Sequence, residues 1–507
     1  MKHKPLLRVS VLALAMLLFA GVFAGCRKEE APSDDTTSQE TEEQTPTAPG
    51  PYECELPEGL DYDNATITMV CRDMEGVQDE FDPGEDQQSL VNKAVFDRNN
   101  AVQDRLNVYF DITMVPDNGT DTHATIARMV EQDVMGGGCT FQIVTAPNYT
   151  IAPSALEGNY MDLNRLVYTN LDKSYWAQGF NEMASAGNAQ YMATGMATLS
   201  LYRFMYVTVY NNRIFTERGL EDLFDVVNDN RWTMEYQYEL ANDLYVDLNN
   251  IGERDEDDFY GFVSGARTSV DSYWVSCKAW VIGRDENNYY TYIGSTDRIS
   301  GMVDQVLNLY YNCDGSYIIP YGDDNTDNAE IVNIFSKGNV AMANMKIQAI
   351  ETGLQNLDFE FSIVPLPKYD SQQDAYYTNV QDQVTVISIP RTLKEADREM
   401  IGAAIEGLAY EGYRYIYPAY FEQALSYRYF KNQESADMLR LIYESSNFVM
   451  VYQGLATDVG WTTMIRNMIR DKSNSVAGQL AGVVGGIPAA LEEINGKFQE
   501  LEQRTQE

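Results

Sequence analysis

From residue 65 the chain switches repeatedly between two hydrophobic periods. Ala65 to Val70 alternates as a strand, Val108 to Thr113 is extended, and Phe141 to Thr145 is a third apolar run of strand length. Between them, the segment 86–106 carries Val91, Ala94, Val95, Val102 and Leu106 on one helical face. Ile126, Met129, Val130 and Val134 mark a second helix, which Gly136, Gly137 and Gly138 stop. Alternating β and α units predict a parallel sheet covered by helices. Ligands of open α/β sheets sit outside the carboxyl ends of the strands. That points to the loops Cys71–Glu75 and Ala146–Tyr149, with Asp73, Glu75 and Tyr149 as candidate contacts. The glycine triplet is no phosphate loop, since no Gly-Lys-Ser/Thr follows it.

A second region, Val207 to Phe262, has the same grammar. Val207, Thr208, Val209 and Tyr210 form a β-branched and aromatic run that Asn211 and Asn212 break. Ile214 and Phe215 follow, then a stop at Gly219. Thr233 is placed to cap the next helix, with Glu235 in its positive first turn. Met234, Tyr238, Ala241, Tyr245 and Leu248 recur at spacings of three and four and predict one buried stripe.

The ordered set Tyr210-Asn211, Gly219-Leu220, Trp232-Thr233 and Tyr260-Gly261-Phe262 resembles the signature of extracellular solute-binding proteins of ABC importers, the branch that mostly carries sugars. Further words match along the chain. LDKSYWAQ (171–178) looks like that branch's Leu-Asp-Lys-Pro-Trp-Trp segment, with Ser174 and Tyr175 replacing Pro and the first Trp. Phe335 to Met342 and Pro365 to Lys368 match its helix-to-strand and strand-exit units, and the late helices over 401–450 are similar. The resemblance covers nearly all of 60–500. It implies an α/β fold of two lobes, each a mostly parallel sheet flanked by helices, discontinuous in sequence and joined by hinge strands. Lobe I is expected over 58–205 and 359–411, and lobe II over 206–358 and 412–507. A solute would bind between them and favour closure through contacts with both. Candidate contacts are Asp73, Glu75, Tyr149 and Arg203, an exposed Tyr175–Trp176 stacking platform, Tyr273, Trp274, and Trp461. Trp280, among Ala279, Val281 and Ile282, is expected in the core instead.

The N-terminus and composition add location. Lys2, Lys4 and Arg8 precede an apolar run from Val11 to Phe19, and Phe23-Ala24-Gly25-Cys26 looks like a lipobox. Residues 1–25 are thus expected to be removed. Cys26 would carry acyl chains such as palmitate, and the acidic stretch 26–57 would tether a monomeric domain to the outer face of the cell membrane. The chain's charge of −40 excludes nucleic acid and anionic lipid surfaces as partners. Its 35 Tyr and 5 Trp suit stacking on sugar rings. The expected partners are therefore a carbohydrate and the transmembrane subunits of an ABC permease. Polyamine or peptide cargo is the alternative, and an exported glycoside-active enzyme a further one.

Catalytic chemistry has little to stand on. His3 lies in the expected signal peptide, His123 is alone, and no nucleophile elbow, metal-binding His pair or Walker loop occurs. The expectation is a binding protein without cofactor. The loop Asp247–Asp258 resembles a calcium loop, with Asp247, Asn249, Asp255 and Asp258 as candidate ligands, but Ile251 fills an oxygen position. After Cys26 the cysteines are Cys54, Cys71, Cys139, Cys277 and Cys313, with no CxxC pair and no readable connectivity.

Overall fold

A computed structural model describes residues 52–84, 89–117, 124–320, 327–421, 433–448, 461–473 and 475–504. The expected signal segment, Cys26, most of the tether, His123 and the Trp461 side chain lie outside the described residues. Residues Pro51–Glu507 form one compact unit.

The first sheet contains β1 (Ala65–Asp73), β2 (Val108–Pro116) and β3 (Ile143–Pro147), joined by α1 (Leu90–Leu106) and α2 (Thr125–Met135). The second contains β4 (Tyr206–Asn211), β5 (Tyr260–Gly265), β6 (Ser316–Ile319), β7 (Val340–Lys346) and β8 (Phe361–Val364). The chain then returns to the first sheet as β9 (Thr385–Ser388), giving the orders β9-β3-β1-β2 and β8-β4-β7-β5-β6. β1 pairs parallel with β2 and β3, and β5 pairs parallel with β6 and β7. The antiparallel pairs, β9 with β3 and β4 with both β7 and β8, all involve strands next to a passage between sheets or a return along the edge. This is the two-lobed, discontinuous α/β architecture expected.

Local chemistry explains the boundaries. Ser89 caps α1 by accepting from the Asn92 amide, and Asn107 ends it with φ 51°. Asn211 ends β4 because its side chain accepts from the Arg213 and Ile214 amides and so caps the next helix. Thr233 accepts from the Tyr236 amide at 3.2 Å and starts α3 (Met234–Asn242). The stripe predicted to reach Leu248 stops with this helix. Ala241 is buried, Tyr245 is half-buried, and Leu248 is 47% exposed in a loop. Gly261 is required by close approach, since a Cβ there would lie 2.5 Å from the Ala241 carbonyl oxygen.

The lobe boundaries fall later than the sequence suggested. β8 is hydrogen-bonded to β4, so the return to the first sheet comes after Val364, not at 359. The helix Arg398–Glu411 packs on α1, and the following turn Gly412–Ile416 still does so, which carries the first layer past 411. The passages between sheets run side by side. Met205 bridges Val380, the Gln381 amide donates to the Phe204 carbonyl at 3.1 Å, and the Ile347 amide donates to the Met205 carbonyl at 3.0 Å.

Two apolar clusters follow from the alternation of β1. Ile67, Met69 and Cys71 face a core that includes Val102, Leu106, Ile401 and Leu408. Val70 faces the other way, into a core that continues through Phe204, Met205 and Val207 to Met342 and Met345 of the second sheet. Arg72 lies two residues after Val70 on that same face.

Candidate interlobe site

The carboxyl ends of β1 and β7 and the passages between sheets bring several polar groups to one place. Arg72, next to last in β1, is 2% exposed. Its guanidinium carbon lies 5.7 Å from the centre of the Phe204 ring. Lys346, the last residue of β7, places its Nζ 4.9 Å from the same ring and donates to Gln381 Oε1 at 3.0 Å. Two cations from two sheets thus share one aromatic ring of the passage between them. Arg72 Nε, Nη1 and Nη2 have no hydrogen-bond partner among the described residues.

Acidic and phenolic groups surround this pair. Burial lowers the Arg72 pKa, against the fields of Glu80, Asp117 and Tyr149. Burial lowers the Lys346 pKa to about 8, with Arg72 adding to the effect and Asp382 opposing it. Burial first, and then Asp271, push the Asp382 carboxyl up to about 6. Asp271, on the helix Thr268–Ser276 after β5, is itself paired with Arg466, whose Nε lies 2.8 Å from one of its oxygens. Tyr149 is the second residue of the helix after β3. Its hydroxyl is pushed up by burial, Asp117 and Asp382, and its amide donates to the Asp382 carbonyl at 3.3 Å. The constellation therefore draws on both sheets and on both passages, as a site between lobes requires.

Of the residues expected at the site, Tyr149 joins this group and Asp73 is half-buried beside it in sequence, while Glu75 is exposed. Arg203 is not open to a solute. Its Nε donates to Glu351 at 2.9 Å, and its Nη atoms hold Asp79 at 2.6 and 3.1 Å and the Gly76 carbonyl at 3.0 Å. The exposed Tyr175–Trp176 platform is absent. The two residues are 0% and 1% exposed, because the Tyr175 hydroxyl and Trp176 Nε1 both donate to the buried Glu406 carboxylate. Tyr273 and Trp274 are likewise buried, with Tyr273 accepting from Asn344 Nδ2 at 2.8 Å. Trp280, expected in the core, is instead half-buried beside Tyr377, with ring centres 4.9 Å apart. It lines a groove of about 500 Å³ with Lys278, Ser295, Arg298, Asp370 and Gln373. The sequence expectation for Trp274 and Trp280 is thus reversed. A one-residue shift of register on a helix or strand decides which ring meets solvent.

In the acidic loop, Asp247 accepts from the Asn250 and Gly252 amides at 2.6 and 2.9 Å, and Asp258 from the Leu248 amide at 3.1 Å and the Tyr245 hydroxyl at 3.1 Å. Asn249 Nδ2 donates to Asp255 at 2.7 Å. These carboxylates close their own loop. Among the described residues no group of three or more His, Cys, Asp or Glu is placed to hold a metal ion.

Arg72, Lys346, Phe204 and Asp382 were not singled out from sequence. A lone cation at the end of an otherwise apolar strand (ATITMVCRD, VAMANMK) was the available signal.

The fold is that of a two-lobed α/β protein whose chain passes back and forth between its two sheets. No protein-family model matches the chain, and no curated protein does. Solved structures do. A sugar transporter from Rhizobium etli in an open conformation matches with TM-score 0.54 at 16% identity, covering 86% of this chain and 99% of that one. A cyclo/maltodextrin-binding protein complexed with maltotetraose gives 0.51 at 12% identity over 86% and 97%. UgpB from Mycobacterium tuberculosis, in complex with glycerophosphocholine, gives 0.50 at 15% identity over 88% and 100%. At these identities the likeness is one of fold. Among the described residues no helix is long and apolar enough to cross a membrane.

Proposed function

We propose that this chain is an extracytoplasmic solute-binding lipoprotein, anchored through Cys26, that takes a carbohydrate between its lobes and hands it to an ABC permease. The observation that carries this reading is the convergence of Arg72, Tyr149, Lys346 and Asp382 from both sheets and the passages between them. A solute touching groups from both lobes gains contacts in one relative arrangement of the lobes that it lacks in others, and this differential affinity drives closure. Structures of the same fold were solved with maltotetraose and with glycerophosphocholine, which supports a small polar solute. The chain binds without turning over its ligand in this reading, which the likeness in fold to a cyclo/maltodextrin-binding protein supports.

A thermal-unfolding screen of the chain against mono- and oligosaccharides, glycerophosphodiesters, polyamines and peptides tests the proposal. A ligand at 100 times its Kd adds about 2.7 kcal/mol of stability, which is a readily measured rise in Tm. A hit with one saccharide class and no hydrolysis product is the expected result. A hit confined to polyamines or peptides contradicts the carbohydrate assignment, and product formation contradicts the receptor.

A further inference from the structure

Arg72 poses a specific physical problem. A buried guanidinium carries five N–H donors and a permanent charge, and buried charges are ordinarily paired. Here the side chain is 2% exposed, its three nitrogens have no partner among the described residues, and a second cation, Lys346, shares the Phe204 ring with it. The nearby acids are engaged elsewhere or lie beyond contact. Glu80 accepts from the Ser200 amide at 2.8 Å, the Ser200 hydroxyl at 2.6 Å and the Thr385 hydroxyl. Asp382 and Asp117 act on the site through space without bonding to the guanidinium. Arg98, the other fully buried arginine of this lobe, shows what a structural guanidinium looks like, with four bonds to the Ala197 and Glu80 carbonyls and to Asn99.

Resting on the receptor reading above, we propose that the solute carries an anionic group, a carboxylate or a phosphate, that docks between Arg72 and Lys346. A planar fork accepts two anionic oxygens in parallel, and the ammonium adds a point charge from the opposite sheet. A neutral sugar hydroxyl would satisfy single donors but leave the two cations without a hydrogen-bonded counter-charge. The anion therefore also supplies the attraction that draws the ends of β1 and β7 together.

The test is calorimetric titration of the full chain in detergent with trigalacturonate, glucose 6-phosphate and neutral maltotetraose, repeated on Arg72→Gln and Lys346→Gln. Charge-assisted bonds of this kind make an anionic probe at least about tenfold tighter than maltotetraose, with a loss of about 100-fold in Arg72→Gln and about tenfold in Lys346→Gln. Maltotetraose, which offers no counter-charge, loses less affinity than the anionic probe in both variants. Tight binding of trigalacturonate alone assigns a carboxylate, and of glucose 6-phosphate alone a phosphate. Equal or tighter binding of maltotetraose overturns the inference and leaves the receptor standing, as does an anion preference that survives in a folded Arg72→Gln. If Arg72→Gln does not fold, Lys346→Gln decides by the same criterion. Absence of binding by every probe here and in the wider screen overturns the receptor reading and this inference together.

Discussion

Arg72 and Arg98 are both fully buried in the first lobe, yet they meet opposite fates. Arg98, on α1, sits 5.0 Å from the Phe81 ring centre and gives its donors to backbone carbonyls and Asn99. Burial still pulls its pKa down to about 10. Arg72, on β1, has a comparable ring contact and none of the bonds. The first ties the loop around Glu80 and Ala197 to α1 and completes a core. The second stands at the carboxyl end of a strand, where an open α/β sheet receives its ligand. Burial and charge are therefore shared by structure and function alike, and hydrogen-bond completeness separates them.

That contrast can be broken most sharply by removing each arginine. Arg98→Met should cost about 3 kcal/mol, because it strands two buried carbonyls and Asn99, and chemical denaturation measures it. Arg72→Met should leave stability within about 1 kcal/mol or raise it, since removing an unpaired buried charge is neutral or favourable. Equal losses in the two variants would erase the distinction. A next, smaller effect concerns Glu406, whose carboxylate takes Tyr175, Trp176 and the Asn170 amide. Burial raises its pKa, with those donors opposing the shift. Tyr175→Phe should cost about 1 kcal/mol and leave solute affinity unchanged, whereas a drop in affinity would restore the pair as a stacking platform.

A further effect is a pH dependence. The Asp382 carboxyl sits at about 6, above its ordinary value, through burial and then Asp271. The folded state holds this proton more tightly than the unfolded chain does. Its contribution to stability is present below about pH 4 and is lost as pH rises through about 6. Asp382→Asn, which mimics the protonated form, should raise Tm at pH 7 relative to the parent and change it little at pH 4. A larger gain at pH 4 than at pH 7 would contradict that assignment.

The sequence carried the fold further than the site. Its family-like words prove to be structural contacts. Trp232 Nε1 donates to the Pro365 carbonyl at 2.8 Å, and the Met234 amide to that of Lys368 at 2.8 Å, so the Trp-Thr and Pro-Leu-Pro-Lys words meet in space. Strand and helix periods were legible because burial enforces them over many residues. Tyr175, Trp176, Tyr273 and Trp274 misled because aromatic composition says nothing about which face a ring takes. Arg203 misled because its acidic partners, Asp79 and Glu351, lie 124 and 148 residues away in the chain. Arg72 and Lys346 became visible only when two strand ends met.

The most direct test of the solute site is hydrogen exchange of the chain with and without the tightest ligand from the screen. Binding between the lobes predicts slowed exchange at residues 72–75 and 148–150 of the first lobe, at 344–348 of the second, and at the passage 380–384. Protection confined to one lobe, or to the groove beside Trp280, would contradict an interlobe site.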